Sequence, residues 1–369
     1  MNSRKSYEFW LNSGYFDAGT KRELEEIKDN SGEIEERFYK DLEFGTGGLR
    51  GVIGAGTNRI NIYTVRKVSQ GLALYLKKNE ENAEKRGIAI AYDSRRMSAE
   101  FAMEAARVFA ANGIVAYLFD ELRPTPELSF AVRHLKAAAG IVITASHNPK
   151  QYNGYKVYGK DGGQLPPEAS EAVLKEIESI KDITAIATMT EEEARGKGLI
   201  KIIGREIDDV YIGNLKTLAV NPAGVAESSG SMKIVYTPLH GSGNKPVRRI
   251  LAETGFSNVL TVKEQELPDP EFRTVKYPNP EDREAFRLAV ELAEKEDVDL
   301  IIGTDPDCDR VGVVVRNTLG KYVALTGNQT GCLLLEFILS CKKKSGKLPK
   351  NGFVVKTIVT SELARSIAD

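Results

Sequence analysis

The 369 residues carry 51 Lys and Arg against 52 Asp and Glu, a formal net charge of −1, with 41% hydrophobic and 28% charged residues. A near-neutral balance with the two signs interspersed leaves no basic footprint, and no run approaches bilayer length, so neither a nucleic-acid nor a membrane partner is expected. Such a chain is long enough for two or three globular domains, and its expected partner is a small molecule.

Cys308, Cys332 and Cys341 are too few and too late in the chain to frame disulfides. Together with the lack of an apolar signal core in Met1 to Trp10, they lead us to expect a cytoplasmic protein.

In chain order, Thr20 to Tyr39 reads as a charged helical segment, and Gly45 to Gly51 as a glycine-rich turn. Glycines admit close approach of an anion, and Arg50 offers a planar fork to phosphate. A glycine-rich hairpin with an exposed arginine is the plainer alternative. Gly87 to Asp93 reads as a strand, Ser98 to Asn112 as a helix with Ser98 as N-cap and Gly113 as its stop, and Ile114 to Phe119 as the next strand. That alternation is α/β.

The apolar run Gly140 to Ile143 reads as a buried strand, which Thr144-Ala-Ser-His-Asn-Pro149 brings to an end. Ser146 thus lies just past a strand's carboxyl end, where ligands of open α/β sheets bind, and is a candidate nucleophile. A turn or helix N-cap remains the other reading. Neighbouring side chains on an extended segment point apart, so His147 is expected to contact substrate rather than serve as base for Ser146. Tyr152 to Tyr158, with Gly154, suggests a hairpin folding back past the serine. Lys156 on it could offset phosphate charge or, with its pKa lowered by burial, exchange a proton; otherwise it is a surface lysine.

Lys181 to Gly198 reads as an exposed connection, with a domain boundary near residue 204. Then come a helix from about Glu206, strand Lys233 to Tyr236, a helix after Asn244, strand Asn258 to Val262, helix Pro280 to Lys295 and strand Asp299 to Gly303. His240, in the turn Pro238 to Gly243, reads as structural. The last strand opens into Thr304 to Arg310, where Asp305, Asp307 and Asp309 alternate around Pro306. Three carboxylates at that spacing can converge on a hard cation such as Mg²⁺; a solvated acidic turn is the alternative. A calcium-binding EF-hand loop would need Gly and Glu where Arg310 and Arg316 stand, and zinc would want more sulfur or imidazole than this chain offers. Beyond Leu325, Thr326 to Ser340 reads as a helix, Gly352 to Thr360 as a strand, and a helix opens at Ser361.

The strings TASHNP at Thr144 to Pro149, YNGYKVY at Tyr152 to Tyr158, GTDPDCDR at Gly303 to Arg310 and FGTGGLRG at Phe44 to Gly51 together resemble the α-D-phosphohexomutases. The segments Tyr7 to Ile27 and Val235 to Asn244 look like the bacterial phosphoglucomutase branch. The resemblance implies tandem α/β domains, each a mixed sheet flanked by helices. Domain I would be 1–204 with the phosphoserine loop, domain II 205–324 with the metal loop, and 325–369 an incomplete domain III, with no domain IV. Neither the family's Glu-Glu-Ser/Thr sugar-recognition loop nor its Arg-x-Ser-Gly-Thr-Glu-Pro phosphate loop occurs in the sequence.

By that resemblance the activity is interconversion of glucose 1-phosphate and glucose 6-phosphate through phosphoserine 146, with glucose 1,6-bisphosphate as intermediate and activator. One Mg²⁺ per chain is implied, held by Asp305, Asp307 and Asp309 with Ser146. Lys156 corresponds to the family's general acid/base, Arg50 and Arg310 to active-site residues near the phosphate, and Lys356 to a substrate-facing lysine of the third domain. Turnover by this chain is expected to be impaired. Two readings from other classes stay open: an aspartyl phosphatase, because Asp307 to Val311 fits D-x-D-x-[TV], and a non-catalytic sugar-phosphate binder. Oligomeric state and the choice among glucose, mannose and pentose phosphates are not legible in the residues.

Overall fold

The computed structural model describes residues 2–369, which form two compact units. One unit runs to Asp208 and includes Asp269–Glu271; the other comprises Asp209–Pro268 and Phe272–Asp369.

The first unit is built on seven strands: β1 (Phe44–Gly45), β2 (Gly48–Val52), β3 (Ile88–Tyr92), β4 (Ala116–Phe119), β5 (Ala139–Ile143), β6 (Tyr152–Gly159) and β7 (Ile200–Ile203). Their order across the sheet is β1-β2-β6-β5-β3-β4-β7. β5, β3, β4 and β7 run parallel, while β6 and β2 pair antiparallel at one side. The parallel strands β3 and β5 are apolar along their length because helices cover both faces. Ile88, Ile90, Ile141 and Ile143 pack with Leu72, Phe101 and Phe109, whereas Ala89, Ala91 and Val142 pack with Leu128 and Val132 of the helix Thr125–Leu135.

The helix Ile62–Asn79 shows how local sequence sets this packing. Asn61 and Thr64 form a capping box at its start, and Val65, Val68, Leu72 and Leu76 recur on one buried face. Burying a leucine of this kind contributes about 1.5–3 kcal/mol. The same helix meets Pro167–Ser179 closely at Gly71, where a Cβ would lie 2.4 Å from Ile177 Cγ1.

The expected helix from Thr20 to Tyr39 is two helices, Ala18–Glu26 and Ser31–Phe38. The break follows from capping: the Asp17 carboxylate accepts from Gly19 and Thr20 N–H groups, and the Asn30 side chain accepts from Glu33 N–H, starting a second helix. Both helices pack with Ser3–Asn12 around Tyr7, Trp10, Phe16 and Tyr63, and Trp10 stacks on Phe16 at 4.3 Å. Ser98 is not an N-cap. Met97 precedes the helix Ser98–Ala111 at φ 64, and the Ser98 hydroxyl bonds Asp93 in the interior. The stretch expected as an exposed connection contains a 3-10 turn, Ile183–Ala185, and a helix, Glu191–Gly196, whose Ala194 is buried in the core and leads into β7. Because β7 completes this sheet, the chain leaves the unit after Asp208.

The second unit has strands β8 (Lys233–Thr237), β9 (Asn258–Thr261), β10 (Leu300–Thr304), β11 (Val311–Arg316) and β12 (Tyr322–Ala324), ordered β12-β11-β10-β8-β9. β10, β8 and β9 are parallel; β11 and β12 are added antiparallel, two strands beyond those expected from the residues. The expected helix from Pro280 begins at Arg283 as a 3-10 turn and continues as Arg287–Glu296, and the helix after Leu325 spans Gly327–Lys344, with Thr326 and Gln329 closing a capping box.

The strand expected at Gly352 to Thr360 does not form. A strand persists only where neighbours take up its backbone groups, and among the described residues this segment pairs with none of the sheet strands. Its apolar side chains stay in solvent, with Ile358 98% exposed. Among the described residues, no helix is long and apolar enough to cross a membrane.

Candidate active site

In the first unit, β3 and β5 end side by side, and their carboxyl-end loops hold the chemistry. Beyond β5, the Thr144 hydroxyl donates to Asp93 Oδ2 at 2.7 Å and accepts the Ser146 N–H at 2.7 Å. Asn148 N–H closes a turn on the Ala145 carbonyl at 3.0 Å. Ser146 adopts φ 51, in the left-handed region that non-glycine residues uncommonly occupy. It is only 1% exposed, so the serine sits within the loop rather than projecting from the mouth of the sheet.

The left-handed turn changes the geometry expected at His147. An extended segment would send neighbouring side chains apart, but here Ser146 Oγ and His147 Nδ1 lie 3.4 Å apart. The imidazole is half-buried. Arg50 is exposed on β2 and donates from Nη1 to Asn148 Oδ1 at 2.9 Å, which joins the hairpin to the serine turn. The hairpin has the expected glycine-rich geometry. It turns through Gly48 at φ 91, whose Cβ would fall 1.9 Å from the Tyr155 carbonyl, and it carries an exposed arginine. β6 folds back along β5 as expected, with Lys156 opposite Val142 and 6% exposed. Lys156 therefore shares the face of Val142 and Tyr158, while Tyr155 points to the other side and bonds Ser69 at 3.1 Å.

In the second unit, Asp305 follows β10 directly. Ligand oxygens of Asp305, Asp307 and Asp309 all lie within 4.8 Å of one another; the first two residues are buried and the third is exposed. Arg310 N–H donates to Asp305 Oδ1 at 3.1 Å, and Cys308 N–H to the Asp305 carbonyl at 2.9 Å. Two ionised carboxylates about 4 Å apart repel by roughly 4 kcal/mol at an effective dielectric near 20, so three together call for a cation. All three donors are carboxylate oxygens, which suits a hard divalent ion such as Mg²⁺. Burial, followed by the charge of Asp305, pushes the Cys308 thiol up to about 12.

The turn Pro238 to Gly243 supports this loop, a role missed in the sequence. Ser242 N–H and Oγ both donate to the Pro306 carbonyl, at 2.8 and 2.9 Å. A Cβ on Gly241 would lie 2.5 Å from Pro306 Cα, and one on Gly243 would lie 2.5 Å from Tyr236 Oη and 2.8 Å from Cys308 Sγ. His240 is structural: its backbone N–H donates to the Gln265 carbonyl, its Nδ1 lies 3.0 Å from the Leu267 carbonyl and its Nε2 lies 2.8 Å from Thr274 Oγ1. Lys356 is tied to its own segment, donating to the Thr360 carbonyl at 3.2 Å and pairing with Glu362 at 2.6 Å.

Family models described as phosphoglucomutase/phosphomannomutase alpha/beta/alpha domain I and domain II match residues 41–184 and 209–320. A phosphoglucomutase of Staphylococcus aureus (strain MRSA252) is 41% identical over 342 residues, covering 92% of this chain and 59% of the relative. A phosphoglucomutase of Staphylococcus saprophyticus is 42% identical over 331 residues, covering 90% of this chain and 58% of the relative. The chain thus spans about 59% of the length of these curated relatives. A candidate phosphomannomutase of Thermus thermophilus superposes with a TM-score of 0.62 at 27% identity, over 83% of this chain and 62% of that one. A phosphoglucomutase/phosphomannomutase family protein of Burkholderia thailandensis shares the fold, with a TM-score of 0.60 at 20% identity over 80% of this chain and 58% of that one. With two successive domain models matched in order and the serine turn and acidic loop each at a strand end, the chain belongs to the phosphoglucomutase/phosphomannomutase family.

Proposed function

We propose that this chain carries out phosphoglucomutase-type phosphotransfer, with Ser146 as the phosphate carrier. Phosphoserine 146 donates its phosphoryl group to a free hydroxyl of a hexose monophosphate, giving a bisphosphate; the sugar turns over, and its other phosphate returns to the serine. The net result interconverts glucose 1-phosphate and glucose 6-phosphate. The observation that carries the reading is the buried, left-handed Ser146 at the end of β5, with its hydroxyl beside the His147 imidazole.

In this reading Lys156, buried on β6, exchanges the proton of the attacking or leaving sugar hydroxyl. His147 holds Ser146 Oγ and a phosphoryl oxygen. Arg50 and Arg310 bind phosphate oxygens as bidentate forks, and Lys356 meets the sugar phosphate. Asp305, Asp307 and Asp309 would hold one Mg²⁺, which when bound offsets negative charge on the transferring phosphoryl group. Phosphoserine brings about −1.5 to −2 charge of its own, so we propose that it completes the cation's shell. The carboxylate-only donor set supports that assignment.

Because the curated relatives are longer, we further propose that these 369 residues suffice to load phosphate on Ser146 but interconvert the two sugar phosphates poorly. Remote contacts that hold the sugar contribute to rate as well as to affinity. The test is incubation with glucose 1,6-bisphosphate, followed by mass spectrometry and a coupled turnover assay on this chain and on one of the relatives' length. Acid-stable phosphate on Ser146 supports the reading. Acid-labile phosphate on Asp307 would favour an aspartyl phosphatase instead, and binding without either product a sugar-phosphate binder. Equal turnover by the short and long chains would refute the impairment.

A further inference from the structure

The interior of the first unit holds an ion pair that the phosphotransfer above leaves unassigned. Asp93 and Arg95 follow β3, their side chains are 0% exposed, and Arg95 Nε lies 3.4 Å from Asp93 Oδ2. Burying two charges is unfavourable unless each finds further hydrogen bonds, so the informative question is where those bonds go. The guanidinium sends hydrogen bonds to carbonyls around the serine turn. Nη2 donates to the Ser146 and Asn148 carbonyls at 2.6 and 2.5 Å, and Nη1 to those of Pro149 and Tyr152 at 3.0 and 3.1 Å. Asp93 fixes the other side. Its Oδ2 accepts from Thr144 Oγ1, and its Oδ1 accepts from Ser98 Oγ at 2.7 Å and from Arg95 N–H at 2.9 Å.

We propose that Arg95 is the positioning residue of the phosphate carrier, drawing the carbonyls of Ser146, Asn148, Pro149 and Tyr152 inward and so holding Ser146 left-handed with its Oγ beside His147. This rests on the reading of Ser146 as the carrier. Arg95 meets no substrate; it acts through the backbone of the turn. A planar fork reaches two pairs of carbonyls at once, which a lysine's point charge cannot do. Loosening the turn misaligns the nucleophile, so the effect falls on rate more than on donor affinity.

The test compares the wild-type chain with Arg95→Lys and with Arg66→Lys. Arg66 is another largely buried arginine of the same unit, paired with Glu104 at 2.5 Å, and serves as control. Three quantities are read: phosphate incorporation from glucose 1,6-bisphosphate against donor concentration, amide exchange over residues 144–152, and melting temperature. Arg95→Lys should melt cooperatively and label at least about 100-fold more slowly at saturating donor, with the half-saturating concentration within about threefold. Its amides at 144–149 should exchange at least about tenfold faster, while Arg66→Lys leaves labelling and exchange there within about threefold. Arg95→Ala, if it folds, should regain part of its labelling rate in millimolar guanidinium ion. Labelling by Arg95→Lys within threefold of wild type would overturn the proposal, as would equal slowing by Arg66→Lys at the same loss of melting temperature. If Ser146 is not the carrier, wild type and Ser146→Ala take up phosphate alike; exchange at 144–149 then decides alone, faster in Arg95→Lys supporting the proposal and unchanged refuting it.

Discussion

The serine turn of the first unit and the acidic loop of the second are both strand-end loops with a side chain in the left-handed region, Ser146 at φ 51 and Cys308 at φ 54. They are held by different means. The serine turn is braced from within by a charged side chain, whose guanidinium donates to carbonyls at 2.5 to 3.1 Å. The acidic loop is met by a close-packed turn, where the lack of a Cβ at Gly241 and Gly243 lets the chain come within reach of Pro306 and Cys308 and Ser242 donates to the Pro306 carbonyl. The difference follows from charge. The serine turn directs carbonyl oxygens inward and calls for a cationic donor there, whereas the acidic loop gathers carboxylates that must stay available to an external cation.

The largest expected effect is at the serine. Ser146→Ala should reduce phosphate incorporation from glucose 1,6-bisphosphate to background, a loss above roughly 1,000-fold, because no other hydroxyl occupies that position. Undiminished labelling, read by mass spectrometry of the tryptic peptide, would remove the serine turn from the chemistry. Next, Asp307→Asn should weaken Mg²⁺ binding by roughly 100-fold by removing one charged oxygen donor of three. Calorimetric titration should also show tighter Mg²⁺ binding to the Ser146-phosphorylated form, and equal affinity in the two forms would separate the sites.

Gly243→Ala tests whether backbone approach shapes the acidic loop. A Cβ there would lie 2.5 Å from Tyr236 Oη and 2.7 Å from Thr304 Oγ1, so the loop must shift. We expect about tenfold weaker Mg²⁺ binding and a loss of about 1–3 kcal/mol in a urea melt, with phosphate loading less affected than by Arg95→Lys. An unchanged Mg²⁺ titration would show that the turn carries the loop without shaping it.

The smallest effect lies away from both loops. Burial opposes ionisation of Asp17, but hydrogen bonds from Thr20, Tyr63 and Gly19 outweigh it and hold the carboxyl down at about 2. A depressed folded pKa stabilises above the unfolded value near 3.8, and that contribution is lost as pH falls through about 2. Asp17 is exposed, so solvent screening keeps the contribution small. Asp17→Ala should cost about 1 kcal/mol as a lost helix cap. Urea melts at neutral pH and at acid pH should show the gap between wild type and variant narrowing on acidification. A constant gap would mean that packing of Phe16 and Tyr63, rather than the charge, stabilises this layer.

The parts legible in the sequence were those in which one short stretch contains the whole physical cause. Ile88 to Tyr92 and Ala139 to Ile143 are apolar without interruption because both faces are covered, and that composition is visible without knowing what covers them. The convergence of Asp305, Asp307 and Asp309 was likewise implied by their spacing around Pro306 past a strand end. Capping misled where several candidates crowded together. Ser98 looked like an N-cap, but its hydroxyl is drawn to Asp93, and the Asn30 that breaks the first helical stretch lay unweighed within a charged run.

What the sequence determined by itself was the α/β alternation, the strand-end placement of Ser146 and the acidic triad, all set by runs of a few residues whose periodicity and spacing act locally. The tertiary structure decided the rest. The nearness of His147 to Ser146 depends on a single left-handed dihedral, which no side-chain pattern announces. Arg95 reaches carbonyls 51 to 57 residues away only because β3 and β5 lie side by side, and Gly243 matters only because its turn meets the acidic loop. Gly352 to Thr360 has the composition of a strand, yet it remains outside the sheets because a strand is stabilised by its neighbours and not by its own residues.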